Sequence, residues 1–103
     1  MVSEYWDNLS LMQQLARIGY QIKEAIECKN QGQMYGAKSA YDMSLKLFDL
    51  TLNCPSHQHR LKEVIMARKY WADYFFGIDE YKAFNDKFWI KYFSDFAYAA
   101  RFQ

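Results

Sequence analysis

The chain has 103 residues and a net charge of +1, with 51% hydrophobic and 24% charged residues. This length is typical of one domain, and the near-neutral charge provides no global field to favour nucleic acid, anionic lipid or acidic substrates. Aromatic residues make up 19% of the chain, where roughly 8–10% is ordinary. Because a small domain cannot bury every ring, we expect some of them at an interface or a ligand groove.

The first predicted helix covers 7–30, where apolar residues recur in steps of four and three. Asp7 or Asn8 is expected to cap its start, and Gly32 is expected to follow its end with a positive φ. The apolar stripe consists of Leu11, Leu15, Ile18, Ile22 and Ala25, widened by Met12, Gly19 and Ile26.

The second and third predicted helices cover 33–52 and 57–76. Pro55 ends the second, Ser56 is a good N-cap for the third, and Gly77 with the following Ile78 is typical of a helix end. The stripe of the second is Ala37, Tyr41, Leu45, Phe48 and Leu52, and that of the third is Leu61, Val64, Arg68, Trp71 and Phe75.

The fourth predicted helix covers 86–101 and starts with Asn85 or Asp86 as its cap. The connection before it is the longest, and we expect Tyr81 and Phe84 to pin it to the other helices. Short connections between helices favour antiparallel neighbours. The sequence therefore predicts an all-α fold, an up-down-up-down four-helix bundle, in a single domain over 1–103.

The stretch from Gly32 to Leu45 alternates small residues with an aromatic, at Ala37, Ala40, Tyr41 and Ser44. It resembles the second helix of a tetratricopeptide repeat and is similar to the helical hairpin of MIT domains. The resemblance covers about one helix, and the Trp and Leu-Gly signature of the first repeat helix is missing. It implies a tight hairpin between the first two helices and, by analogy, peptide or protein binding.

Cysteine and histidine offer little chemistry in this pattern. Cys28 and Cys54 are expected at opposite ends of the hairpin, roughly 30 Å apart at 1.5 Å per residue, whereas a disulfide needs Cα atoms within about 7 Å. His57 and His59 would point about 200° apart on a helix. We therefore expect two thiols in a reducing compartment, no metal and no cofactor.

Arg68 interrupts the apolar stripe of the third helix. A charge there must extend to solvent, pair with an acid or anchor an anionic group of a partner. We expect a structural role and keep the anchor as the alternative.

The fourth helix has aromatic residues over more than a third of its surface. Rings in this pattern are often simple core, and the excess favours an interface. We expect a non-enzymatic cytoplasmic adaptor or oligomeric subunit that binds a protein partner or itself as a homodimer. We expect no nucleic acid, because the net charge is near neutral. We expect no membrane insertion, because Asp86 and Asp95 interrupt the basic residues of the fourth helix and no window reaches the roughly 18 apolar residues of a spanning helix. The candidate surface is Tyr70, Trp71, Tyr74, Phe75, Phe88, Trp89, Tyr92, Phe93 and Phe96.

Two other functions remain open. Bundles also hold small apolar ligands or cofactors between facing helices. A catalytic helical domain, such as a small ribonuclease, would need a cluster around His57, His59 and Arg60, and the divergence of the two histidines disfavours it.

Overall fold

The computed structural model describes residues 2–54, 60–76 and 85–101, and within these ranges every regular element is a helix. The prediction of an all-α fold is confirmed. No helix in these ranges is both long enough and apolar enough to cross a membrane. The helices are α1 (Val2–Asp7), α2 (Leu11–Asn30), α3 (Met34–Leu52), α4 (Leu61–Phe75) and α5 (Asp86–Ala100).

The prediction of one helix over 7–30 is wrong, because the chain forms a short helix, breaks and starts again. Ser10 caps α2: its Oγ accepts from the backbone N–H of Gln13 at 3.1 Å, and Gln13 Oε1 accepts from the backbone N–H of Ser10 at 2.9 Å. This reciprocal pair satisfies two backbone donors and makes Ser10 a strong start signal. Ser10, rather than Asp7 or Asn8, is therefore the N-cap of α2.

The end of α2, both ends of α3 and α5, and the end of α4 lie within one residue of their predicted positions. Gly32 has the expected positive φ of 76°, and α3 begins one residue after the predicted position. Asn85 caps α5 by accepting from the backbone N–H of Phe88 at 2.9 Å. The helix predicted from residue 57 begins at Leu61 after Arg60 as N-cap. The other residues used to predict its ends and the next connection lie outside the described ranges: Pro55, Ser56, His57, His59, Gly77, Ile78, Tyr81 and Phe84.

The α2–α3 pair forms the tight hairpin that the small residues predicted. Ala37, Ala40, Tyr41 and Ser44 are all buried. A Cβ added to Gly36 would stand 3.2 Å from Cys28 Sγ, so the two helices approach closely beside the turn.

The two cysteines are separate thiols, one beside this turn and the other buried just after α3. They lie at opposite ends of the hairpin, as expected.

Helix α2 is the centre of the molecule, because it packs against both α3 and α5. Ile18, Ile22 and Ala25 are completely excluded from solvent. On the α5 side, a Cβ added to Gly19 would stand only 2.5 Å from Phe93 Cβ. The absence of a side chain at Gly19 therefore allows α5 to lie directly on α2.

Trp6 anchors α1 to the rest of the protein. Trp6 is 3% exposed. Its indole Nε1 donates to Thr51 Oγ1 at 3.0 Å, and its carbonyl oxygen accepts from Gln14 Nε2 at 2.8 Å. Because a helix of 6 residues is unstable alone in water, these buried contacts hold α1 in place.

Two contacts bring three helix ends together. Lys29, near the end of α2, donates through Nζ to the carbonyl oxygen of Phe75 at 2.9 Å, at the end of α4. Asn30 donates through Nδ2 to Asp86 Oδ2 at 3.0 Å, at the start of α5. The end of α2 therefore lies beside the end of α4 and the start of α5.

Candidate binding groove

The structure divides the predicted aromatic surface into two groups. One group is core, with exposures of 7% or less: Trp71, Phe75, Trp89 and Phe93. The other group is half-buried: Tyr70, Tyr74, Phe88, Tyr92 and Phe96. The first group cannot meet a partner directly in this conformation, so the candidate surface contracts to the half-buried rings.

The buried rings form the wall behind this surface. Trp71 and Trp89 meet edge to face with centroids 5.7 Å apart, which links α4 to α5 through side chains. Trp71 also donates through Nε1 to Ser44 Oγ at 2.9 Å, and Phe75 stacks on Tyr41 at 4.3 Å. Because such large rings occupy the space between the helices, the backbones of α4 and α5 remain separated, and the outer faces border an open groove.

We call this feature the α4–α5 groove, and its volume is about 170 Å³. The residues from α4 follow the spacing of one helix face, and those from α5 span a single turn. The groove is lined by Glu63, Met66, Ala67, Tyr70, Phe88, Trp89 and Tyr92.

One end of the groove is polar. Glu63 accepts through Oε1 from the hydroxyl of Tyr92 at 3.3 Å and through Oε2 from Arg60 Nη2 at 2.7 Å. Among the described residues that line the groove, Glu63 is the only one with a formal charge at neutral pH. The carboxylate is thus held by Tyr92 of α5 and by Arg60, the N-cap residue of its own helix.

The pKa of Tyr92 is raised to about 12. Burial of the phenol is the largest cause, because it disfavours the charged phenolate, and the negative charge of Glu63 is the second. Arg60 opposes this effect more weakly. Near Tyr92 the influence of the carboxylate therefore exceeds that of the guanidinium.

Arg68 lies outside this groove and pairs with a neighbouring helix. Its Nε is 2.9 Å from Asp49 Oδ1, and its Nη2 is 3.3 Å from Asp49 Oδ2. The side chains are 32% and 54% exposed, and an exposed pair of this kind contributes less than about 1 kcal/mol to stability. The pair joins α3 to α4, as expected for a structural arginine, and the anchor role stays a prediction.

In the part of the chain that the structure describes, no three side chains among His, Cys, Asp and Glu come together as ligands for a metal ion. The groove instead combines aromatic faces, a thioether and one carboxylate. This set is suited to contact with an apolar or cationic group.

Three of the lining residues were missed in the sequence, although their spacing contained the signal. Glu63, Met66 and Ala67 precede Tyr70 by seven, four and three positions, so all four share one face of α4. These residues are not aromatic, so the aromatic pattern alone does not indicate them. The helical spacing around Tyr70 does indicate them.

The described residues thus form helices and an aromatic groove between two of them. No protein-family model matches the sequence, and comparison with curated proteins and with solved structures likewise gave no match.

Proposed function

We propose that the protein acts without catalysis, by associating with another polypeptide as an adaptor or as a subunit of an oligomer. The observation that supports this proposal is the α4–α5 groove with its half-buried rings Tyr70, Phe88 and Tyr92. Binding energy at protein interfaces concentrates in aromatic residues and in the pockets that receive a partner's side chain.

A second copy of the chain is the first partner to consider, because two-fold dimers are the commonest oligomers. Met66 is 39% exposed at the wall of the groove, and Phe76 is 60% exposed just past the end of α4. Met66 adds apolar area beside the rings, and Phe76, whose ring contacts Tyr41 and Phe75, adds exposed apolar area at the end of α4. The proposal places the protein in the cytoplasm, where the thiols of Cys28 and Cys54 would stay reduced.

We also propose that the four long helices, α2 to α5, form an up-down-up-down bundle. The Lys29–Phe75 and Asn30–Asp86 contacts support it, because they put the end of α2 at the end of α4 and the start of α5. Nuclear Overhauser effects within both residue pairs are expected in solution. Their absence from a well-resolved spectrum would contradict this topology.

Light scattering coupled to size-exclusion chromatography tests the association, at about 50 µM so that a micromolar complex is populated. The variant is Met66→Glu, and the matched control is Ile65→Glu, at a neighbouring position that is 47% exposed and outside the groove lining. We expect a dimer or a stable complex that Met66→Glu disrupts and Ile65→Glu preserves. A strict monomer with no copurifying partner, or equal effects of both variants, would refute the proposal.

A small apolar ligand is the second candidate, and the size of the groove favours it. Its volume of about 170 Å³ is close to the roughly 150 Å³ of an apolar cavity that binds benzene. Native mass spectrometry should then reveal a bound small molecule on a protein whose oligomeric state does not change. Release of this molecule by Met66→Glu, with retention by Ile65→Glu, would support this candidate over the first.

A further inference from the structure

Aromatic rings line both sides of the α4–α5 groove. Tyr70 belongs to α4, whereas Phe88, Trp89 and Tyr92 belong to α5. Adjacent rings on α5 present different surfaces, since Phe88 and Trp89 are perpendicular at 5.3 Å and Phe88 and Tyr92 are stacked at 5.8 Å. Ring faces attract a cation that comes within about 6 Å of their centroids.

The charge of the groove has the sign that a cation needs. Glu63 is the one formally charged side chain among its described lining residues. Its partner Arg60 forms an exposed i,i+3 pair with it, which is a weak contact that a ligand can displace. Burial is the largest cause of the raised pKa of Tyr92, and the negative charge of Glu63 adds to it more than the positive charge of Arg60 opposes it. An anionic ligand would meet repulsion from Glu63.

The size of the groove selects among cations. A trimethylammonium group is somewhat smaller than benzene, and the volume of about 170 Å³ exceeds the roughly 150 Å³ of a cavity that admits benzene. A bare ammonium is compact and strongly hydrated, so it gains little from an apolar wall. Methylation removes that hydration and leaves the charge, which suits a site made of aromatic faces and one carboxylate.

From these three observations we infer that the α4–α5 groove is an aromatic cage for an alkylated ammonium group. Tyr70, Phe88 and Tyr92 supply the accessible rings, the buried Trp89 lies behind them, and Glu63 supplies the opposing charge. The group comes from a free quaternary amine or from a methylated lysine side chain. In the second case the inference rests on the proposed function, because the polypeptide partner would insert that side chain into the same groove.

The decisive comparison is between choline and 3,3-dimethylbutan-1-ol, which has the same shape without the charge. Binding is followed through the indole N–H signal of Trp89 in a titration of ¹⁵N-labelled protein. We expect choline to shift this signal and the neutral alcohol to bind at least about fivefold more weakly, as a cation–π contribution implies. Equal binding of both compounds, or binding of neither, would overturn the inference.

A charge variant locates the site. Glu63→Gln should weaken choline binding several-fold and leave binding of the alcohol unchanged. The matched control is Asp95→Asn, which removes the same charge from an exposed position of α5 outside the groove lining. An equal loss in both variants would assign the effect to the overall charge and contradict a local cage. Tyr70→Leu provides a second test if Glu63→Gln does not fold, since it should reduce the preference for choline over the alcohol.

A third titration distinguishes the two sources of the group. Acetylated trimethyllysine amide binding more tightly than choline, with unmethylated lysine amide failing to bind, would identify a methylated side chain. Tighter binding of choline would identify a free amine. Choline binding to a strict monomer without a partner would support the cage while refuting the proposed association. Association that depends on Met66, in a protein that does not prefer choline to the neutral alcohol, would support the proposed association and refute the cage.

Discussion

Replacement of Gly19 by alanine tests the close approach between α2 and α5. The added Cβ would stand 2.5 Å from Phe93 Cβ and 3.1 Å from Phe93 Cγ, where ordinary contacts begin at 3.4 Å. The obstructing Cβ is attached to the backbone and cannot rotate away. Helix α5 must therefore move from α2 by about 1 Å.

The net effect is the difference between two opposing terms. Overpacking of a well-packed interface costs about 1–3 kcal/mol, and alanine stabilises a helix interior by about 1 kcal/mol relative to glycine. We expect the strain to exceed the propensity gain, because the Phe93 ring also packs against other rings and cannot shift without disturbing them. Its centroid lies 6.1 Å from that of Phe48 and 6.3 Å from that of Trp89. Strain in the upper half of that range, about 2–3 kcal/mol, less the gain of about 1 kcal/mol, should lower the free energy of unfolding of Gly19→Ala by about 1–2 kcal/mol.

Urea denaturation followed by circular dichroism measures this change. The control is Ser39→Ala on the exposed side of α3, which improves helix propensity without a new contact. We expect the control to be neutral or slightly stabilising, and Gly19→Ala to lower the midpoint. A Gly19→Ala protein as stable as the wild type, or more stable, would refute the idea that this contact sets the α2–α5 distance.

Three other predictions concern a titration, a cap and a buried hydrogen bond. Because the pKa of Tyr92 is raised from 10.0 to about 12, the stability that depends on its protonation is complete below pH 10 and is lost as the pH rises through 12. Tyr92→Phe should flatten alkaline denaturation in this window, and an unchanged alkaline profile in this variant would contradict the linkage. Glu63→Gln should lower the pKa of Tyr92 in a spectrophotometric titration but leave it above the ordinary value, since burial is the larger cause. Ser10→Ala should cost about 1 kcal/mol in urea denaturation, as loss of an N-cap does, and no change would mean that the break before α2 does not depend on the capping box. Thr51→Val should cost about 1–3 kcal/mol by the same assay, because it leaves the buried indole N–H of Trp6 without its acceptor, and a wild-type midpoint would show that this bond contributes nothing.

Local signals in the sequence account for the helices and several of their ends. Gly32 and Asn85 were identified from their positions, because a positive φ favours glycine and a side-chain oxygen caps a helix start. The capping box at Ser10 was equally local, yet the apolar periodicity runs past it and obscured the break. That error came from weighting periodicity above a cap signal, and the sequence contained enough information to avoid it.

The roles of individual rings depend on partners that are distant in the chain. Trp89 and Tyr92 share one predicted face of α5, but Trp89 is 2% exposed and Tyr92 is half-buried. The difference arises because Trp71, on α4, covers Trp89. Periodicity indicates which face turns inward, and it contains no information about how closely the next helix approaches.

By itself, the sequence determined that the chain is helical, that α2 and α3 form a close hairpin and that its aromatic excess lies in α4 and α5. These properties follow from residues a few positions apart. Only the tertiary structure decided which rings are core and which line a groove, and that Glu63 closes one end of it. The physical reason is that burial and charge at each ring depend on the separation of α4 and α5. Bulky side chains between the two helices set that separation, and no local pattern reports it.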